Sequence, residues 1–99
     1  MDQGLLILVA VPSLEEKLID LLLEQVALSG FTTSNISAHD VKSKKLNLLE
    51  QVTGRQQKVQ FMVYADLIEL QHLIDILKLK FINTDLRYIL LSAIASEVI

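Results

Sequence analysis

"KVQFMVYADLIELQHLIDIL", Lys58 to Leu77, changes period at its middle. Before Asp66, Val59, Phe61 and Val63 alternate with Lys58, Gln60, Met62 and Tyr64, the two-residue repeat of a strand with one strongly buried face. After it, Leu67, Leu70, Leu73, Ile74, Leu77 and Phe81 recur every three or four residues, the apolar stripe of an amphipathic helix. Asp66 and Glu69 have the spacing of a capping box, which sets the boundary between the two. A strand running straight into a helix is therefore expected, and the rest of the chain can be fitted around that pair.

The first third repeats the pattern. "GLLILVAV", Gly4 to Val11, is a continuous apolar run of the kind a central strand shows when both its faces are covered. Pro12 ends it, Ser13 and Glu16 form a second capping-box pair, and Leu14, Leu18, Leu21, Leu22 and Val26 predict a helix over 14–28, stopped by Gly30. Phe31 to His39 carries Thr, Ser and Asn with little bulk, the composition of a half-exposed edge strand. After the second helix, Asn83 to Asp85 provides a turn, and "LRYILLSAI" places Leu86, Tyr88 and Leu90 on one face and Ile89, Leu91 and Ala93 on the other. The order β-α-β-β-α-β is that of an α+β, ferredoxin-like sandwich, one domain over 1–99, with two helices on one face of an antiparallel sheet. The other face stays open. Because the first and last strands are apolar on both faces, pairing of that open face between subunits is expected, and a charge placed at Leu90 is expected to break the assembly.

Composition narrows the chemistry. Of 99 residues, 52% are hydrophobic and none is cysteine, which excludes disulfides, a thiolate nucleophile and Cys-ligated zinc or iron–sulfur clusters. A mean hydropathy of +0.45 is high for so small a domain and again suggests covered outer surface. "MDQGLLILVAVP" has neither the basic start of a signal peptide nor the roughly 20 apolar residues of a membrane span. A cytoplasmic protein without membrane insertion is expected.

Charge is unevenly placed. Lys42, Lys44, Lys45, Arg55 and Lys58 face only Asp40 and Glu50 over residues 40–58, a net +3 on a chain whose total is −3. A basic excursion on an acidic body suits a local anionic ligand or an acidic partner surface, and not general nucleic-acid binding. Leu46, Leu48, Leu49 and Val52 add apolar contact area to the same excursion, which is expected to be mobile in the free protein from about 41 to 53.

The sequence from "LEEKLIDLLLEQVALSGFTTSNISAHD" to "KVQFMVYAD" resembles the PII-like signalling superfamily over nearly the whole chain. "SGFT", His39 and "LLEQVTGRQQKVQF" are more narrowly similar to a small PII-like family of unknown function often encoded beside heavy-metal efflux pumps. The resemblance implies a homotrimer, a regulatory or signal-transduction role, and a long loop that engages a partner such as a transporter or efflux pump. Lys42, Lys44, Lys45, Leu46, Leu49, Glu50 and Gln51 would form the partner loop. Ligands in such trimers sit between subunits at the loop base, which by position is lined by His39, Asp40, Arg55 and Lys58. The glycines that cradle phosphates in the nucleotide binders are replaced by "AHDVK" at the loop base and are missing from "KFINTDL" before the last strand, so ATP is not expected.

Other chemistries fit less well. His39 beside Asp40, with Glu50 or a neighbour's copy, has the donor types for copper, zinc or nickel, so a metal-binding or metal-tolerance trimer of the CutA kind is the alternative. His72, flanking the apolar stripe of the second helix, is expected to be structural. RNA recognition would want aromatics two apart on the third strand, where Phe61 is followed by Val63. An acylphosphatase-like reaction would want a phosphate loop and Arg after the first strand, where "VAVPSLEE" is acidic. No catalytic residues are assigned, and the chain reads as a non-enzyme.

Overall fold

A computed structural model describes residues 2–39 and 56–99. The elements follow the expected order: β1 Gln3–Ala10, α1 Glu15–Leu23, β2 Gly30–Ala38, β3 Gln56–Asp66, α2 Leu67–Lys80 and β4 Arg87–Ser92. The four strands form one antiparallel sheet in the order β2-β3-β1-β4, as the split β-α-β arrangement requires. The expected mobile segment, 41–53, lies outside the described residues, as do Asp40 and Arg55.

The period-two patterns decide which side is core. Gly4, Leu6, Leu8 and Ala10 of β1 are buried, and pair across the sheet with Ala65, Val63, Phe61 and Val59 of β3, also buried. Leu18, Leu21 and Leu22 of α1, with Leu70, Leu73, Ile74 and Leu77 of α2, close over this surface. Phe31 reaches in from the edge strand, its ring centroid 6.5 Å from that of Phe61. Gly4 sits where α2 crosses β1: a Cβ there would stand 2.5 Å from Leu67 Cδ2, so the helix approaches the sheet this closely because the residue has no side chain.

Both helix starts depart from the capping pattern. Leu14, not Ser13, is the N-cap of α1, preceded by a 3₁₀ turn over Pro12–Leu14, and no side chain caps either helix. Pro12 accounts for the first case, since its fixed φ begins a tight turn that delays the α-helix. In the second, Asp66 does occupy the N-cap position, but its carboxylate accepts a hydrogen bond from Gln3 Nε2 across the sheet. The expected α1 is also too long: it ends at Leu23, and Val26, assigned to its stripe, is fully exposed. The Asn83–Asp85 turn is present. Asn83 and Asp85 both adopt positive φ, 60° and 65°, which these residue types tolerate, and Thr84 Oγ1 donates to the Phe81 carbonyl at 2.6 Å.

On β4 the two faces separate as expected, but they are not equivalent. Leu90 packs against the core beneath the helices, whereas Ile89 and Leu91 point to the opposite side. Leu90 is thus the wrong place for a charge meant to test assembly.

Candidate functional site

The sheet face turned away from the helices is the one broad surface that the described part of the fold leaves uncovered. Residues paired across strands share a face, so the register reads this surface row by row. Gln3 and Asp66 form the first row, then Leu91, Leu5 and Tyr64, then Ile89, Ile7, Met62 and Thr32. Next come Arg87, Val9, Gln60 and Ser34, and then Lys58 with Ile36. The apolar rows lie between the Gln3–Asp66 pair at one end and basic and amide-bearing side chains at the end where β2 finishes and the 39–55 connection leaves. Tyr64, Ile89 and Leu91 are exposed, and Leu5, Ile7, Val9 and Met62 half-buried, although every one of these belongs to a strand of the central sheet. A contiguous apolar patch on the middle of a sheet is the mark of an association surface.

The expected ligand residues fall at the polar end. His39 follows β2 directly and is exposed; Lys58 is half-buried on the outward face of β3, opposite Ile36. Their expected companions Asp40 and Arg55, and the partner-loop residues Lys42, Lys44, Lys45, Leu46, Leu49, Glu50 and Gln51, lie outside the described residues. Among the described residues, His39 included, no three His, Asp or Glu side chains group as a metal site. His72 is on the solvent side of α2, with Nδ1 3.9 Å from Glu69 Oε2, one turn earlier. Arg87 was not among the expected site residues. Its parity with Ile89 and Leu91 in β4 was the available signal, since it puts the guanidinium on the same face as Lys58.

A concavity lies on the helix side. It is an apolar groove of about 330 Å³ between the end of α2, β1 and β4, lined by Leu8, Leu77, Phe81, Leu86 and Tyr88, with Lys78 Nζ 5.8 Å from the Tyr88 ring centroid. Among the described residues no helix is long and apolar enough to cross a membrane.

Comparison with known proteins fits this geometry. A family model for a protein of unknown function, DUF3240, matches residues 1–98. A crystal structure of a DUF3240 family protein from Shewanella baltica OS155 superposes with a TM-score of 0.78 at 20% identity, covering 98% of this chain and 96% of that one. CPII, a nitrogen regulatory PII-like protein from Thiomonas intermedia K12 whose structure holds ADP, AMP and bicarbonate, gives 0.73 at 11% identity over 100% of this chain and 98% of that one. A protein of Thermus thermophilus described as PII-like and signalling gives 0.64 at 14% identity, over 94% and 90%. The comparison with curated proteins found no match. The fold is thus PII-like as well as ferredoxin-like.

Proposed function

The chain belongs to the DUF3240 family of proteins of unknown function, and from its PII-like architecture we propose that it is a regulatory homotrimer, not an enzyme. In this reading it engages a partner protein, such as a membrane transporter or efflux pump, through the segment joining β2 to β3. The observation that carries the reading is the pairing of those two strands. β2 and β3 pair without interruption from Gly30 and Tyr64 to Ala38 and Gln56, so a turn of two residues would close the hairpin, yet the chain spends residues 39–55 there. An insertion that the fold does not need, rich in lysine and leucine, fits a contact element.

The outward sheet face supports the trimer. Its apolar rows would be buried between copies, and the basic end, with Lys58 and Arg87 from each subunit, would then converge beside the bases of the joining segments. That placement suits a small anion that modulates partner binding, with His39, Asp40 and Arg55 as further contacts. CPII shows that this fold can hold small anions, but its share of identity with this chain is too low to carry over its ligands. The cytoplasm is the compartment such a role requires.

The test compares the intact protein with one in which 41–53 is replaced by a two-residue turn, in pull-downs from cell extract and in titrations with ADP, AMP, bicarbonate and divalent metals. The deleted protein should remain assembled, because a surface segment of this length changes closure entropy by only about 1 kcal/mol. It should lose its partner. Retention of the partner with unchanged affinity would refute the role of the segment.

A further inference from the structure

The tail beyond β4 has apolar side chains that lie open to solvent in the single chain. Ala93 N donates to the Gln3 carbonyl at 2.9 Å, the last bond of the sheet, and after it Ile94, Val98 and Ile99 are fully exposed. Three large aliphatic side chains in water are costly, at about 25 cal/mol per Å² of apolar area. A surface to cover them is therefore expected.

The groove on the helix side has the matching properties. It is lined by apolar side chains, and it carries a lysine at its mouth, Lys78, held above Tyr88. The tail's only charged residue is Glu97, directly beside Val98. The tail exit at Gln3 and the groove at Leu8 are about 17 Å apart along β1, at roughly 3.3 Å per residue, and β4 carries the tail away from the groove. The tail leaves beside Gln3, where β1 starts, whereas the groove lies beside Leu8 and Tyr88, toward the other end of β1 and β4. A tail filling the groove of its own chain would have to double back along the length of β4. Extended, the seven residues from Ala93 to Ile99 span at most roughly 25 Å, at about 3.3–3.6 Å each, and a return along β4 would use most of that reach and leave little chain to lie in its own groove.

We propose that residues 94–99 of one subunit dock in the groove between α2 and β4 of a second copy, with Val98 and Ile99 against Leu77, Phe81 and Leu86 and Glu97 at Lys78. The exchange adds a second contact, on the helix side, to the sheet face. It rests on the oligomeric reading above, since a monomer offers no second groove.

The absence of native cysteine makes the test clean. Ile82 borders the groove and is exposed, so the double variant Ile82→Cys/Val98→Cys is oxidised at low concentration and run on a non-reducing gel, beside each single variant. Docking between copies gives covalently linked multimers that neither single variant forms. Adding Lys78→Glu lowers the yield by roughly threefold, as for a partly exposed ion pair, and adding Glu97→Lys as well restores it. A linked single chain that migrates as a compact monomer overturns exchange. An assembled protein that gives no linkage also overturns it, and leaves the sheet interface standing. A chain that sediments as a monomer before oxidation overturns both readings.

Discussion

Ile89→Asp should convert the assembled protein into separate, folded subunits. In the single chain Ile89 is 57% exposed, and its neighbours on the outward face are Ile7 and, across β1, Met62. Full burial of an isoleucine is worth about 1.5–3 kcal/mol. Since more than half of this side chain is open in the isolated fold, the substitution should cost the subunit only about 1 kcal/mol of stability. In a sheet-to-sheet interface the same carboxylate would be buried without a partner, which costs about 3–5 kcal/mol. At 1.4 kcal/mol per tenfold, that weakens each interface by about 100- to 1,000-fold or more. Sedimentation velocity measures the assembly, and denaturation at several protein concentrations separates subunit stability from association. Leu90→Asp is the control: Leu90 packs under the helices, so it should unfold the subunit itself. An Ile89→Asp protein with unchanged sedimentation and concentration dependence would refute the interface.

Gly4→Ala should destabilise the fold by about 1–3 kcal/mol in urea, because its new methyl meets Leu67 and Leu70 of α2. Phe61→Ala, at the fully buried centre of the sheet, should cost about 3–5 kcal/mol in the same assay, and a loss below about 1 kcal/mol would contradict that burial. Asp66→Ser preserves capping ability but loses the bond from Gln3. It should therefore cost about 1 kcal/mol and show coupling with Gln3→Ala in a double-mutant cycle, whereas a capping role would leave it neutral. Phosphate should raise the melting temperature of the wild-type assembly and leave Lys58→Ala/Arg87→Ala unmoved, since bound anion stabilises only where cations converge; an equal rise in both would remove the basic end of the sheet as an anion site.

The fold was legible because its strands and helices carry different periods with little interference. Val59, Phe61 and Val63, then Leu70, Leu73 and Leu77, fix the sides of β3 and α2 before any contact is known, and the burial follows them residue for residue. Helix ends were less legible, for a physical reason. A capping box is a local pattern, and at Asp66 a long-range amide from Gln3 competes for the same carboxylate and wins. At Ser13 the preceding proline turns the chain too tightly for the cap to form. Of the proposed site, His39 and Lys58 were named from charge and position, whereas Arg87 comes to the same end of the sheet only because β4, near the end of the sequence, pairs with β1 near its start. Long-range pairing of this kind leaves no mark in a charge count.

The basic residues of the outward face lie at one end of the sheet for a structural reason. Beneath the helices the sheet is covered by a core of fourteen buried apolar residues, with no buried polar group among the described residues. On the outward side, the same alternation that sends Leu6 and Leu8 to the core sends Leu5, Ile7 and Val9 to the face that the helices leave open. At Val9, near the end of β1, its partners become Gln60 and Arg87, and Lys58 follows in the next row of β3. In the proposed assembly through the apolar rows, the polar ends of several copies would meet at the base of the segment between β2 and β3. A ligand held there would touch more than one subunit and the roots of every joining segment, so its binding and the disposition of those segments cannot be independent. Coupling between a small anion and a partner protein then requires no conformational change across the core, only a shared charged rim.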